Sequence, residues 1–175
     1  YLTGHLDGAN GRRFGFQVTF FRQANRAGQG DVQQLHLAHV ALLDVASGAF
    51  VHEEKLNREG WDATASETTL EVRNANWSLK LDEATNQMHV VATVKAEALL
   101  KLKLDVVKPL VVFGTDGVSR KGDAPDAASH YLTFPRLKAD GVVHFGTDEV
   151  AVAGEAWMDH EFSSSQLTEG QAGWD

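Results

Sequence analysis

The sequence predicts an all-β fold of antiparallel strands. Apolar and polar residues alternate with a period of two in several segments, turn-forming residues separate these segments, and no long amphipathic helix pattern interrupts them. Such segments number about ten, at the spacing of hairpins. Many short strands favour either a β-sandwich or a closed barrel, and the pattern alone does not choose between them. A barrel of roughly eight to ten strands can hold a small apolar ligand.

Four segments show the alternation most clearly. Each places apolar side chains on one face and polar side chains on the other, as expected for a strand with one buried face. Their apolar rows are Phe14-Phe16-Val18-Phe20, Trp77-Leu79-Leu81, Met88-Val90-Ala92-Val94 and Leu100-Leu102-Leu104-Val106. A further row consists of Leu35, Leu37, Ala41 and Leu43. His39 belongs to it, so we expect its side chain to point inward and to find a hydrogen-bond partner.

Turn chemistry separates the strands. Glycine, asparagine and aspartate predict turns at Ala27–Gly30, Asp82–Asn86 and Asp140–Gly141. The segment Asp116–Ser129 reads as a long loop, and long loops in compact domains are often functional. No segment has the pattern of a long amphipathic helix, and Glu53–Arg58 is the one segment that could form a short helical turn instead of a strand.

Composition narrows the class of protein. The 175 residues are 43% apolar and 23% charged, which is typical of one globular domain. A net charge of −8 argues against nucleic acid or an anionic membrane as a partner. The chain has no cysteine, so it has neither disulfides nor thiolate metal sites. No apolar run reaches the roughly 18 residues that span a membrane.

Metal and serine-hydrolase chemistry are not expected. His36 and His39 are three residues apart, which places them on opposite faces of a strand, and no other spacing typical of metal ligands occurs. Ser163–Ser165 follow Asp159 and His160, but chain proximity on one strand gives the wrong geometry for a catalytic triad. No Gly-x-Ser-x-Gly elbow is present. We therefore expect no metal and no cofactor.

Motifs in four places along the chain resemble a known family. The chain opens with Tyr1-Leu2-Thr3-Gly4-His5-Leu6, followed by Gly11–Arg22, with Ser129–Leu137 and then Ala156–Ser165 nearer the end, where Gln171–Asp175 closes it. Their order and content resemble the AttH/CrtC family, which includes the carotenoid 1,2-hydratases and bacterial proteins labelled as secreted hydrolases. The match runs over the whole chain and is closer to the AttH-type branch than to the true hydratases.

The resemblance implies an antiparallel lipocalin-like (calycin-like) β-barrel. It implies that residues 1–175 form a single lipocalin-like domain, the N-terminal barrel of a two-barrel protein whose second lipocalin-like domain is its partner. It also implies export, as a periplasmic, secreted or lipid-anchored protein. It does not imply a reaction, because fold does not determine function.

A candidate acid–base site comes from the same resemblance. The hydratases' aspartate corresponds to Asp159 and their histidine to His130, with Trp157 on the same strand face as Asp159. Two aromatic positions differ: Leu132 stands in place of an aromatic residue and Trp157 in place of a tyrosine, which puts carotenoid hydration in doubt. A dry apolar cavity would raise the pKa of Asp159 and keep it protonated as an acid, while His130 would act as base or hold water. A structural carboxylate tied to backbone N–H groups or to Arg136 is the alternative.

Further residues are candidates for ligand binding. Tyr131 and Trp77 are large enough to line a cavity, although core packing is the default for each. Glu161 continues the row of Asp159, and His160 lies on the opposite strand face with Met158. The ligand-binding candidates are Tyr131, Trp77, His39, His160, Glu161 and Arg136.

Three functions follow, of which we prefer the first. The protein binds a small hydrophobic ligand, lipid- or isoprenoid-like, in the barrel. Alternatively it is a lyase or isomerase of the carotenoid hydratase type that uses Asp159 and His130. In the third reading it is an architectural half of a two-barrel protein. An apolar cavity in which these two residues face each other would favour the enzyme, an apolar cavity without them would favour binding, and a solid interior would favour architecture.

Overall fold

The computed structural model describes residues 1–9, 11–26, 32–124, 126–165 and 170. No helix occurs among these residues. The turn predicted at Ala27–Gly30 and the closing motif Gln171–Asp175 lie outside them. The strands are β1 (Leu2–Gly8), β2 (Arg13–Arg26), β3 (Val32–Asp44), β4 (Ala49–Arg58), β5 (Ala63–Ala65), β6 (Glu71–Asn74), β7 (Trp77–Asp82), β8 (Gln87–Val94), β9 (Ala98–Val106), β10 (Val111–Val112), β11 (Val118–Arg120), β12 (Ala128–Phe145) and β13 (Asp148–Ser165).

All strands belong to one antiparallel sheet that curls into a nearly closed barrel. The order is β4-β3-β2-β1-β13-β12-β9-β8-β7-β6-β5, and β10 and β11 each pair with β12. Hairpins link most neighbours, and the first strand lies beside the last, with Leu2 opposite Met158. The predicted antiparallel, lipocalin-like fold is confirmed.

The predicted apolar rows fill the barrel. On β2, Phe14, Phe16 and Val18 are buried, and the rows of β7, β8 and β9 are buried along most of their length. Burial of these side chains is the main favourable free energy of folding, because it removes apolar surface from water. Alternation therefore identified the inward face of these four strands correctly.

On β3 the prediction chose the wrong face. The buried residues are His36, Ala38, Val40, Leu42 and Asp44, whereas the row that contains His39 is only half-buried. Both rows of β3 are largely apolar, so alternation does not distinguish them. Pairing with β2 decides the matter, since Val18 lies opposite Val40 and must share its face.

Three local predictions also need correction. Glu53–Arg58 forms no separate turn but continues β4. Asp140–Gly141 lies inside β12, so the prediction of a turn there is wrong. The glycine is needed for close packing of two strands, because a Cβ at Gly141 would lie 2.0 Å from the Lys101 carbonyl oxygen. The long loop from Asp116 contains the short strand β11 and ends where β12 begins at Ala128. The turn at Asp82–Asn86 is confirmed between β7 and β8.

Side chains bridge the seam where the sheet order ends, between β4 and the strands β5 and β6. The buried Asn74 amide donates to the carbonyl oxygens of His36 (2.9 Å) and Lys55 (3.2 Å), and it accepts a 2.6 Å hydrogen bond from Asn57. The Lys55 ammonium lies 4.2 Å from the centre of the Trp77 ring. This polar network joins the two ends of the sheet and leaves the Asn74 side chain satisfied.

The strands β12 and β13 extend past the start of β1 and give the sheet two distinct faces there. We define the lumen face as the side that carries Leu132, Phe134 and Met158, of which Met158 belongs to the core. The outer face carries the alternate residues, which include Thr133 and Asp159. The candidate site residues near the ends of β12 and β13 divide between these two faces.

Candidate functional site

A cavity of about 270 Å³ opens at the end of the barrel. Its walls are almost wholly apolar, and His160 and Asn86 are the polar residues that reach it. The lining residues are Leu70, Leu81, Asn86, Met88, Val106, Leu110, Leu132, Phe134, Met158 and His160. Such a space excludes strongly hydrated groups and suits the apolar part of a small molecule.

Three rings lie in a row on the lumen face, and one of them, His160, lines this cavity. Phe162 stacks against His130, with ring centroids 5.2 Å apart and planes 23° apart, and it lies 5.5 Å from the ring of His160. All three residues are exposed. His160 is open to solvent at one side, but the protein atoms around its ring remove part of its hydration. This desolvation, followed by repulsion from the N-terminal ammonium, lowers the pKa of His160, which therefore stays neutral near pH 7. We refer to His130, His160 and Phe162 as the mouth.

Asp159 lies on the outer face and is 3% exposed. Thr133 Oγ1 donates a hydrogen bond to Asp159 Oδ1, and Trp157, Tyr131 and Tyr1 donate to the same carboxylate. Burial alone would raise the pKa of Asp159 and is the strongest single influence, but these donors together outweigh it and lower the pKa. The expectation of a protonated acid is therefore wrong: the structure favours an ionised carboxylate.

Tyr131 and Glu161 surround this carboxylate on the outer face. Burial, reinforced by the hydrogen bond to Asp159, raises the pKa of Tyr131 strongly, so its hydroxyl remains protonated. Glu161 accepts a hydrogen bond from Ser129 and pairs with the Lys121 ammonium at 2.8 Å. The result is a polar cluster on the side of the sheet away from the cavity.

The structure does not bring Asp159 and His130 together. Asp159 is opposite Thr133 in the β12–β13 ladder, whereas His130 is opposite Phe162. Side chains alternate along each strand, so the two candidates project from opposite faces of the sheet. Trp157 is on the face of Asp159, as predicted, and His160 is on the other face, also as predicted.

The other candidates lie away from the cavity. Trp77 is fully buried in the core and its Nε1 donates to the Thr93 carbonyl oxygen at 2.6 Å. His39 pairs with Glu54 at 2.9 Å on the outside of the sheet. Arg136 does not hold Asp159; its guanidinium lies 3.2 Å from Glu155.

Sequence reasoning missed Thr133 and His36. Thr133 donates a hydrogen bond to Asp159 from the neighbouring strand. The residues around Thr133 in the sequence do not indicate that it lies opposite Asp159. His36 is buried and contacts Glu59. From the sequence we instead expected His39 to point inward, because His39 belongs to an apolar row. Among the described residues, no group of three histidines or carboxylates is placed to hold a metal ion.

The family model of the AttH-like proteins matches residues 1–175. The chain belongs to the AttH-like family. An AttH protein from Nitrosomonas europaea shares 32% identity over 96% of this chain, with a TM-score of 0.84, and the matched region is 51% of that protein. Kievitone hydratase from Nectria haematococca has a TM-score of 0.71 at 12% identity, over 94% of this chain and 47% of its own.

The chain therefore spans about half the length of both solved relatives. The likeness to kievitone hydratase shows a shared fold, because identity at that level carries no shared activity. No curated protein matches the chain. Within the described residues, no helix is long and apolar enough to cross a bilayer.

Proposed function

We propose that this AttH-like barrel binds a small hydrophobic ligand in its cavity. The observation that carries the proposal is an apolar space of about 270 Å³ whose walls come from five strands and three connecting segments of the barrel. Its size suits one small molecule or the tail of a larger one. A lipid-like or isoprenoid-like ligand would gain free energy by leaving water.

Filling the cavity should abolish binding. We expect Leu132→Trp, at a half-buried cavity wall, to abolish uptake of the neutral probe N-phenylnaphthylamine, because the larger ring occupies the site. Leu56→Trp is the matched control, since Leu56 is 63% exposed on β4 and away from the cavity. Probe fluorescence measures binding, and thermal unfolding checks that both variants are folded. Unchanged uptake by Leu132→Trp would place the probe elsewhere.

Acid–base lyase or isomerase chemistry at Asp159 is the second candidate. The supporting observation is a buried, ionised carboxylate beside the Tyr131 hydroxyl, which places a proton acceptor next to a proton donor. Hydration of an isolated alkene also requires a strong acid to protonate carbon, and Tyr131 is too weak for that role. The second candidate therefore ranks below ligand binding.

Loss of the carboxylate would test the chemistry. If the protein adds water to an isoprenoid alkene, Asp159→Asn should lower the rate by about a hundredfold or more. The same change should leave probe binding intact, because Asp159 faces away from the cavity. Incorporation of oxygen from isotopically labelled water, followed by mass spectrometry, measures the reaction. Full activity in Asp159→Asn would remove this residue from the mechanism.

The family also suggests an exported protein with a second lipocalin-like barrel. We include both in the proposal. Cell fractionation tests the location, and probe binding by the isolated barrel and by the natural full-length protein tests whether the second barrel contributes to the site.

A further inference from the structure

Two arginines lie at lumen-facing positions beyond the cavity of this acidic protein. These are Arg22 on β2, opposite the buried His36, and Arg120 on β11, and His130 on β12 shares the face of Arg120. In the described part of these strands and of β13, no carboxylate occupies the same face beyond the cavity. Glu67 reaches Arg22 at 3.5 Å. The net charge of the whole chain is −8, so this local balance differs from that of the rest of the surface.

Arg120 is available to a ligand. It is exposed and forms no ion pair with a described residue, whereas most arginines of the described chain are paired. Arg120 lies opposite Ala128, and Val118 lies opposite His130, so Arg120 and His130 are diagonal neighbours on one face of the sheet. A guanidinium and an imidazole at that spacing can hold one carboxylate.

The mouth connects this polar pair to the apolar cavity. His160 lines the cavity, Phe162 contacts His160, and His130 stacks on the other side of Phe162. A ligand that leaves the cavity past His160 would cross the exposed Phe162 ring before it reached His130 and Arg120. The site is thus apolar in the cavity and aromatic at the mouth, and the Arg120 guanidinium lies beyond the mouth.

We propose that the ligand is an amphipathic carboxylic acid whose tail fills the cavity and whose carboxylate is held by Arg120 and His130. This inference rests on the proposed binding function and specifies the chemistry of the ligand. The tail accounts for the apolar walls, and the carboxylate accounts for the unpaired guanidinium. An alcohol of the same chain length would retain the first interaction and lose most of the second.

Calorimetric titration with decanoate, decanol and decylamine tests the head group. We expect decanoate to bind about tenfold more tightly than decanol, and decylamine to bind more weakly than either. Arg120→Gln should remove the preference for decanoate and leave the affinity for decanol unchanged. Arg13→Gln is the matched control. Arg13 is exposed beside Asp7 at the start of β2, away from the end that carries Arg22, and its loss changes the net charge by the same amount as Arg120→Gln. Added salt should weaken decanoate alone.

The outcomes separate the two proposals. Equal affinity for decanoate and decanol, or tighter binding of decylamine, would overturn the carboxylate assignment while the cavity function stands. A preference for decanoate that survives Arg120→Gln would overturn the role of Arg120. If none of the three ligands nor N-phenylnaphthylamine binds, the proposed function itself is wrong. Loss of decanoate binding in Leu132→Trp would support a tail in the cavity.

Discussion

Gly154→Ala should destabilise the barrel by about 2 to 3 kcal/mol. A Cβ at this position would lie 2.0 Å from the carbonyl oxygen of His5, which belongs to the neighbouring strand β1. Backbone atoms cannot rotate aside as a side chain does, so β1 and β13 would have to separate locally. Leu2 and Leu6, which β1 contributes to the core, would move with it.

A second glycine provides the control for this prediction. Gly15 on β2 has only the Leu43 Cβ near its own Cβ position, at 3.9 Å, and its φ is not in the left-handed region. Gly15→Ala should therefore be neutral or stabilising by a few tenths of a kcal/mol, because alanine restricts the unfolded chain. Urea unfolding of both variants measures the difference. Equal stability would contradict the close approach of β1 and β13.

Asp159→Asn should lower the free energy of unfolding by about 1.5 to 3 kcal/mol at neutral pH. The amide offers one acceptor oxygen where the carboxylate offers two, and it carries no charge for the donors of Thr133, Tyr131 and Trp157. A donor that is buried without an acceptor gives up the hydrogen bond that it made to water in the unfolded chain, and this loss destabilises the folded state.

The same substitution makes a prediction about pH. The folded-state pKa of Asp159 is lower than its pKa in the unfolded chain, so its contribution is fully present above the unfolded pKa. That contribution disappears as the pH falls through the folded pKa. The stability difference between wild type and Asp159→Asn should thus be largest at neutral pH and shrink in acid. Asp7→Asn, which breaks an exposed pair with Arg13, should cost less than about 1 kcal/mol. A difference that stayed constant with pH would contradict an ionised Asp159.

The position of Asp159 separates the candidate acid–base residue from the cavity. A residue that a family resemblance places at an acid–base centre lies outside the cavity of this barrel, in contact with tyrosine and tryptophan side chains. The apolar cavity and the carboxylate share two strands but not a face. Chemistry at Asp159 would need a substrate on the outer face, whereas ligand binding needs only the lumen.

The β fold and most of its core follow from the sequence pattern alone. Alternation at Phe14-Phe16-Val18 and at Leu100-Leu102-Leu104 identifies buried faces because one side of each strand is polar. It also placed Trp157 beside Asp159 and His160 on the opposite side, since side-chain direction along one strand follows from counting.

The contacts between strands depend on long-range pairing that no local pattern contains. The inward face of β3 depends on its register with β2, and the close approach of the β9 backbone leaves no room for a Cβ at Gly141 within β12. His130 and Asp159 come from β12 and β13, so their relative placement depends on a pairing that neither strand encodes alone. The pKa of Asp159 likewise depends on donors from three places in the chain. Local periodicity specifies the direction of a side chain, but long-range register specifies what it faces.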